Sequence, residues 1–346
     1  MLHITNGDAT RVPLERSGVP GTVASWDDVL HEGPTPLASG EEWWRVRARY
    51  LASAGYGDEA EMLEHVRAKG DPLDAAAAHD EVVFWFEHDL HDQLLLVRHL
   101  WWLSRSIAGS EDPAYEGGRS EDPACEGGRS EGRGSGRRED PARPRFSIVI
   151  GTDYLGLLKP EEFPARFAAR RAITAEEIDV GAAIWKAFCG DDPRRLVSFA
   201  SDAGPLRYVP RAMHRLLEEF PAAKTGLARS ERQILEVLSE GPRSPGQAFV
   251  ACAKLEDDIW MGDWSFWAIL RRMASAAPPL VAADVQRVED RFPEGILTIT
   301  AAGRQVLAGD ADYLALNAPS RWIGGTYLTP QRAWRWTGSS LLPPAP

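Results

Sequence analysis

Short apolar runs recur through positions 1–156, and each breaks off into small, acidic or imidazole residues. Leu2-His3-Ile4-Thr5 runs into Asn6-Gly7-Asp8. Thr22-Val23-Ala24-Ser25-Trp26 runs into Asp27-Asp28 and then His31-Glu32-Gly33. Val82-Val83-Phe84-Trp85-Phe86 stops at Glu87-His88-Asp89, and Phe146-Ser147-Ile148-Val149-Ile150 at Gly151-Thr152-Asp153. Runs this short, rich in β-branched and aromatic residues, predict strands. Between them the apolar period becomes helical over Glu41–Ala54, Asp58–Lys69 and Leu90–Ser106, the last with Leu94, Val97, Leu100 and Trp101 on one face. Asp8 predicts the N-cap of a helix over roughly 9–17, and Gly18 its stop. Strands alternating with helices predict a Rossmann-like parallel sheet covered by helices. In such a sheet all four strand ends meet at one edge, where open α/β proteins place their ligand crevices.

Helical segments follow near 160–170, 174–189 and 207–219. From about 227 the pattern changes to helices over Ser230–Ser239, Ser244–Leu255 and Ile259–Ala274. Two short strands, Leu280–Ala283 and Gly295–Ile299, come next, and then Thr300-Ala301-Ala302-Gly303-Arg304-Gln305-Val306-Leu307. Three helices and a β-ribbon in this order predict a winged-helix-like α+β domain. The expected organisation has five parts: an α/β domain from 1–109 plus 146–158, an insertion at 110–145, a helical bridge at 159–226, the winged-helix-like domain at 227–310, and an aromatic tail at 311–346. Within the insertion, Ser110-Glu111-Asp112-Pro113-Ala114-Tyr115-Glu116-Gly117-Gly118-Arg119 recurs at 120–129 with Cys125 in place of Tyr115. Gly, Pro, Ser and charge offer nothing to bury, so this stretch is expected to be a disordered tandem insertion.

The 346 residues carry a net charge of −12, and residues 1–109 alone hold 18 acids against 9 Lys and Arg. Acidic surfaces repel phosphate backbones, which disfavours general nucleic-acid binding and suits a hard cation. Residues 229–310 hold 12 acids and 9 Lys and Arg, so the winged-helix-like part also lacks a basic surplus. Three scattered cysteines, Cys125, Cys189 and Cys252, make neither a disulfide framework nor a thiolate zinc site. A reducing cytoplasm is the expected setting. No signal peptide and no membrane span are expected.

The candidate chemistry lies at the strand ends. His31, Glu32, Glu87 and His88 are the candidate acid–base residues, because two ionisable groups after a buried strand need partners. Asn6, Gly7, Asp8, Gly151 and Asp153 are candidate ligand contacts, since glycine lets the backbone approach a ligand and a helix N-terminus offers free N–H groups. Asp28, Asp89 and Asp92 are candidate ligands of a divalent metal. Helix capping explains Asp8 and Asp89 equally well. His3, inside the first strand, reads as a satisfied core histidine. Neither a GxGxxG nor a P-loop is present. Cys189 and Cys252 read as packed side chains.

The segments "LHITNGD", "WDDVLHEGP", "FEHDLHDQ", "EEFP", "GLARSERQIL", "MGDWSFW", "LTITAAGRQVLAGD" and "RWIGGTYL" together resemble the bacterial family catalogued as domain of unknown function 1835. The resemblance spans nearly the whole chain except 110–145. It implies that Asn6, Gly7, Asp8, Asp28, His31, Glu32, Gly33, Glu87, His88, Asp89, Asp92 and Gln93 are signature positions, and it implies no reaction. Similar sequences often carry an aromatic where this chain has His91. Two functions are expected from the residues. One is a hydrolase or transferase acting on a nucleotide-like or phosphorylated small molecule with a divalent metal. The other is a ligand-sensing regulator whose winged-helix-like domain contacts DNA or a protein. The oligomeric state has no signature in the sequence.

Overall fold

A computed structural model of the chain describes residues 1–70, 72–108, 144–286, 294–317 and 320–344. Four strands, β1 (Leu2–Thr5), β2 (Thr22–Ser25), β3 (Glu81–Phe86) and β4 (Arg145–Ile150), run parallel in the order β2-β1-β3-β4. The strand order therefore reverses between β1 and β3. The sheet is mixed rather than purely parallel, because β5 (Arg171–Ala172) pairs antiparallel with β4. All six residues of β3 are buried, which is why its sequence shows no polar alternation.

Eight helices accompany this sheet: α1 (Asp8–Glu15), α2 (Gly40–Ala54), α3 (Glu59–Lys69), α4 (Leu90–Ala108), α5 (Phe163–Ala168), α6 (Ala175–Phe188), α7 (Arg195–Ser201) and α8 (Val209–Leu217). One sheet face, with Ile4, Val82, Phe84 and Ile148, packs into a large core with α4, α6 and α8. Val83, Trp85 and Val149 point the other way, onto Leu14 of α1, Leu155 and Phe163. His3 is a satisfied core residue: its Nδ1 accepts from Trp85 Nε1 at 3.0 Å, and Nε2 lies 3.0 Å from the Pro20 carbonyl. Several tryptophans enclose one cation, with the Arg98 guanidinium 5.0–5.7 Å from the rings of Trp26, Trp43, Trp101 and Trp185. Helix α7, seven residues without a clear apolar period, is not foreseen by the sequence pattern.

A second core gathers α9 (Arg229–Ser239), α10 (Pro245–Ala253), α11 (Asp263–Ala274), the antiparallel strands β6 (Val281–Gln286) and β7 (Glu294–Ile299), and α12 (Ala301–Ala308). Ser244 and Gln247 form a capping box at α10, with Pro245 at the first helical position. The third helix begins at Asp263 rather than Ile259, so residues 254–262 are a connection. After the short α13 (Tyr313–Leu316) come β8 (Arg321–Ile323) with β9 (Thr326–Leu328) and β10 (Arg335–Trp336) with β11 (Leu341–Leu342). Ile323, Leu328, Trp334, Trp336 and Leu341 return to the first core. The tandem insertion expected at 110–145, with Cys125, lies outside the described residues except for its last two positions. No helix among the described residues is long and apolar enough to cross a membrane.

Candidate functional site

The connection from β3 to α4 is only Glu87, His88 and Asp89. Asp89 caps the helix, its Oδ1 accepting the Asp92 amide at 3.1 Å. In the first turn, Asp92 reaches back to the strand end. Its Oδ2 accepts from the Glu87 amide at 2.5 Å and from Asn6 Nδ2 at 3.0 Å. Asn6 follows β1, the neighbouring strand, and its Nδ2 also lies 3.4 Å from Glu87 Oε1. Leu155, beyond β4, donates its amide to that same oxygen at 2.7 Å. Gln93 Nε2 holds the Glu87 carbonyl at 2.5 Å. Three adjacent parallel strands thus meet at the point where the strand order reverses.

Among the described residues, Glu87, Asp89 and Asp92 each offer one oxygen within 4.8 Å of the others. Opposite oxygens around a Ca²⁺ ion lie about 5 Å apart, so this span fits a single divalent cation. Glu87 and Asp89 are 5% exposed and Asp92 is fully buried. Burial raises the Glu87 carboxyl. Burial, then the charges of Glu87 and Asp258, pushes Asp89 up to about 7. Burial and the two neighbouring carboxylates push Asp92 well above its usual range. No arginine or lysine is among the main influences on any of the three, although the His88 charge counters the rise at Glu87. Asp92 Oδ1 and Asn6 Oδ1 are buried without a protein donor. Surplus negative charge and two unsatisfied acceptors fit a hard cation.

His88 leans the other way. Its Nε2 lies 3.1 Å from Asp258 Oδ1, and Arg211 holds the second oxygen of Asp258 at 2.6 Å. Tyr154 and Tyr208 flank the ring. Tyr154 Oη accepts the Ile259 amide at 2.6 Å. The connection between α10 and α11 is therefore tied across the sheet edge.

His31 and Glu32 sit in the loop between β2 and α2 and line a cleft of about 610 Å³ between the two cores. His31 Nε2 lies 3.1 Å from Ser265 Oγ of α11 and 3.6 Å from Glu32 Oε1. Its ring meets Trp260 edge-on at 4.7 Å and lies 6.2 Å from His91. Tyr50 Oη donates to Glu32 at 2.8 Å. Burial works against the Glu32 charge, but His31, Ser265 and Tyr50 outweigh it and hold the carboxyl at about 2. Burial and the His31 charge lower His91 to about 4, so the His91 imidazole is neutral. Gly33 follows with φ +69°, and a Cβ there would overlap the Tyr50 ring.

The other sequence candidates lie elsewhere. Asp28 lies outside the carboxylate cluster: Arg47, fully buried on α2, clamps both its oxygens at 2.6–3.1 Å. The remaining Arg47 donors go to the carbonyls of Val29, Glu32 and Pro34. Asp8 is the first residue of α1 rather than its cap, and it points outward to Arg11 at 2.8 Å. Gly7 is the N-cap residue, with φ 152°. Asp153 pairs with Arg166 at 2.7 Å on the surface, and Gly151 has no neighbour where a Cβ would stand. Both expected cysteine placements match the fold, and burial pushes the Cys189 and Cys252 thiols up to about 12.

Sequence reasoning did not foresee Tyr50, Asp258 and Ser265, because none of them ends an apolar run. No family model matches the chain, and no curated protein matches it.

Proposed function

We propose that the protein is a metal-assisted hydrolase or transferase acting on a nucleotide-like or phosphorylated small molecule at the β1/β3 edge. The observation that carries this reading is the convergence of three buried carboxylates with no arginine or lysine paired to them among the described residues. Glu87, Asp89 and Asp92, with Asn6 Oδ1 beside them, would hold the divalent cation. Such a cation supplies Lewis acidity toward a phosphoryl oxygen and a water of lowered pKa. His31, oriented by Glu32 and Ser265, is positioned as the acid–base group on the cleft side. His88 acts through Asp258 to keep the 254–262 connection over the edge. Calorimetric titration with Mn²⁺ tests the reading. One equivalent should bind, and Glu87→Gln or Asp92→Asn should weaken it by at least about tenfold, roughly 1.4 kcal/mol. No binding at millimolar Mn²⁺, Mg²⁺ or Ca²⁺ would remove the metal from the reading.

A ligand-sensing regulator is the second reading. The succession of α9, α10, α11, β6 and β7 supports a winged-helix-like reading of this part, as does the bridge between Arg243 and Leu297. Helix α11 would be the groove-reading helix. It is instead turned onto the first core: Ser265 meets His31, and Arg271 Nη2 donates to the Ala54 carbonyl at 2.7 Å. This supports a part that senses the cleft or a protein partner over one that reads DNA. Membership of the family resembled above remains part of the proposal, and it adds positions rather than a reaction.

A further inference from the structure

The cleft carries chemistry that the carboxylate cluster does not use. Its floor is the His31–Gly33 turn with Tyr50. Helix α11 forms a second wall, and the β8–β9 hairpin brings Arg321, Trp322 and Tyr327. Four arginines and two glutamates line it, a surplus of two positive charges in a chain of net charge −12. Both glutamates are already engaged. Glu32 is held by Tyr50, and Glu219 by Arg215 at 2.7 Å and Ser230 Oγ at 2.7 Å. Arg272 and Arg321 share one carboxylate, Glu231, at 3.1 and 3.5 Å. Arg271 donates to a backbone carbonyl and has no ion pair among the described residues.

Several donors in this wall lack an acceptor among the described residues. They are Nε of Arg271, Nε of Arg272 and Nε1 of Trp260, together with Nδ1 of His31. Trp260 is 7% exposed and the His31 side chain 5%. Guanidinium and indole N–H groups donate and never accept, so whatever satisfies them brings acceptor atoms. Positive charge asks that those acceptors be anionic. A tetrahedral phosphate, with three oxygens to share among guanidiniums on different elements, answers three arginines better than a planar carboxylate does. The hairpin adds an aromatic platform, with Trp322 and Tyr327 stacked at 4.7 Å and 30°. The volume lies within the ~300–1,000 Å³ typical of small-molecule sites.

We propose that this cleft binds a ligand joining a planar heteroaromatic ring to a phosphoryl group, of nucleoside monophosphate size. Arg271, Arg272 and Arg321 take the phosphoryl group, and Trp322 and Tyr327 take the ring. The inference deepens the function proposed above by naming the substrate class and the groups that select it. His31, 6.2 Å from His91 in the first turn of α4, is the step from this cleft to the sheet edge.

The test titrates the full chain calorimetrically with AMP, GMP, CMP and UMP, and with adenosine, ribose 5-phosphate and inorganic phosphate. All titrations contain EDTA, so the metal site plays no part. At least one nucleotide should bind with Kd below about 100 µM, more than tenfold tighter than adenosine or phosphate alone. Arg271→Gln should remove at least about tenfold from nucleotide affinity and leave adenosine unchanged. Trp322→Ala should weaken nucleotide and adenosine alike and leave phosphate unchanged. If none of the four nucleotides binds, or adenosine or phosphate alone binds as tightly as its nucleotide, the inference fails. Should Arg271→Gln unfold, the comparison of AMP with adenosine and phosphate on the unaltered protein decides alone. Nucleotide binding without Mn²⁺ binding would sink the metal reading and keep this one. Mn²⁺ binding without nucleotide binding would do the reverse.

Discussion

Asp28, its side chain 11% exposed, and Asp92, fully buried, are carboxylates near the end of the same sheet, and they have opposite surroundings. Asp28 meets the Arg47 guanidinium on both oxygens, and Arg47 spends its other donors on three loop carbonyls. The pair stitches the 28–34 loop to α2. Asp92 has only amide donors, two acidic neighbours and one oxygen without a donor. A buried acid with a fixed cation is part of the scaffold. A buried acid among other acids is costly to the fold and is accounted for by something the fold binds.

The sharpest way to break this contrast is Arg47→Ala. It leaves Asp28 mostly buried and unpaired and frees the carbonyls of Val29, Glu32 and Pro34, and stability should fall by about 3 kcal/mol in a denaturant titration. A loss near zero would place Asp28 among the ligand-facing acids after all. Asp89→Asn should act in the opposite sense. Asparagine keeps the cap on α4 while one buried charge disappears. In EDTA the variant should therefore melt higher, by about 1 kcal/mol, while Mn²⁺ affinity drops at least about tenfold. A variant that melts lower and binds Mn²⁺ as before would show the acids to be structural.

His31→Ala sharpens the comparison at the cleft. The melting temperature should fall only modestly, because Tyr50 and Ser265 still hold Glu32 when the 3.6 Å contact from His31 is lost. Binding of AMP should weaken by about tenfold or more, since a donor to the phosphoryl group is lost. Gross unfolding would return His31 to the scaffold.

Acidity gives a fourth test. The Asp89 carboxyl titrates at about 7 in the folded chain and near 3.8 in its ordinary state. The folded form holds the proton more tightly, so this contribution to stability is complete below about pH 4 and is lost as pH rises through about 7. Mn²⁺ affinity should run the other way, climbing from pH 5 to 8 with proton release, as a cation displaces that proton. A flat profile would mean that the cation, if bound, sits elsewhere. The smallest effect is expected at the surface. Asp8→Asn and Asp153→Asn should each change stability by no more than about 0.5 kcal/mol and leave Mn²⁺ titrations untouched.

The strands were legible because burial on both faces leaves an unbroken apolar run, as in Val82–Phe86, and because each run stops sharply. The same rule placed Asn6, Glu87, Asp89 and Asp92 at one edge. It could not separate them from Asp8, Asp28 and Asp153, which also follow apolar runs. What divides the two groups is the position of an arginine: Arg11 one helical turn on, Arg47 on α2, Arg166 on α5. For Arg47 that position depends on tertiary packing and not on spacing. His31 and Glu32 stood out for the same reason as the acids, yet their partner Ser265 is 234 positions away. Trp260 and Arg271 reach the cleft only because the second core packs against the first. The antiparallel β5, two exposed residues long, has too little pattern to be seen at all.

The hairpin at Gly324-Gly325 presses against the end of α6 so closely that a Cβ at either glycine would strike the backbone at Phe188 or Cys189. Because the hairpin lies near the end of the chain, this contact forms last during synthesis. The four parallel strands and the carboxylate edge are made from residues before 156, but one side of the cleft arrives only with residues 321–327. The first core also waits for Ile323, Leu328, Trp334, Trp336 and Leu341. A ribosome adding about 5–20 residues per second would spend many seconds with the acidic edge already exposed and the arginine-lined cleft still lacking a wall. Any chain stopped before residue 320 carries the acids and cannot close the cleft beside them.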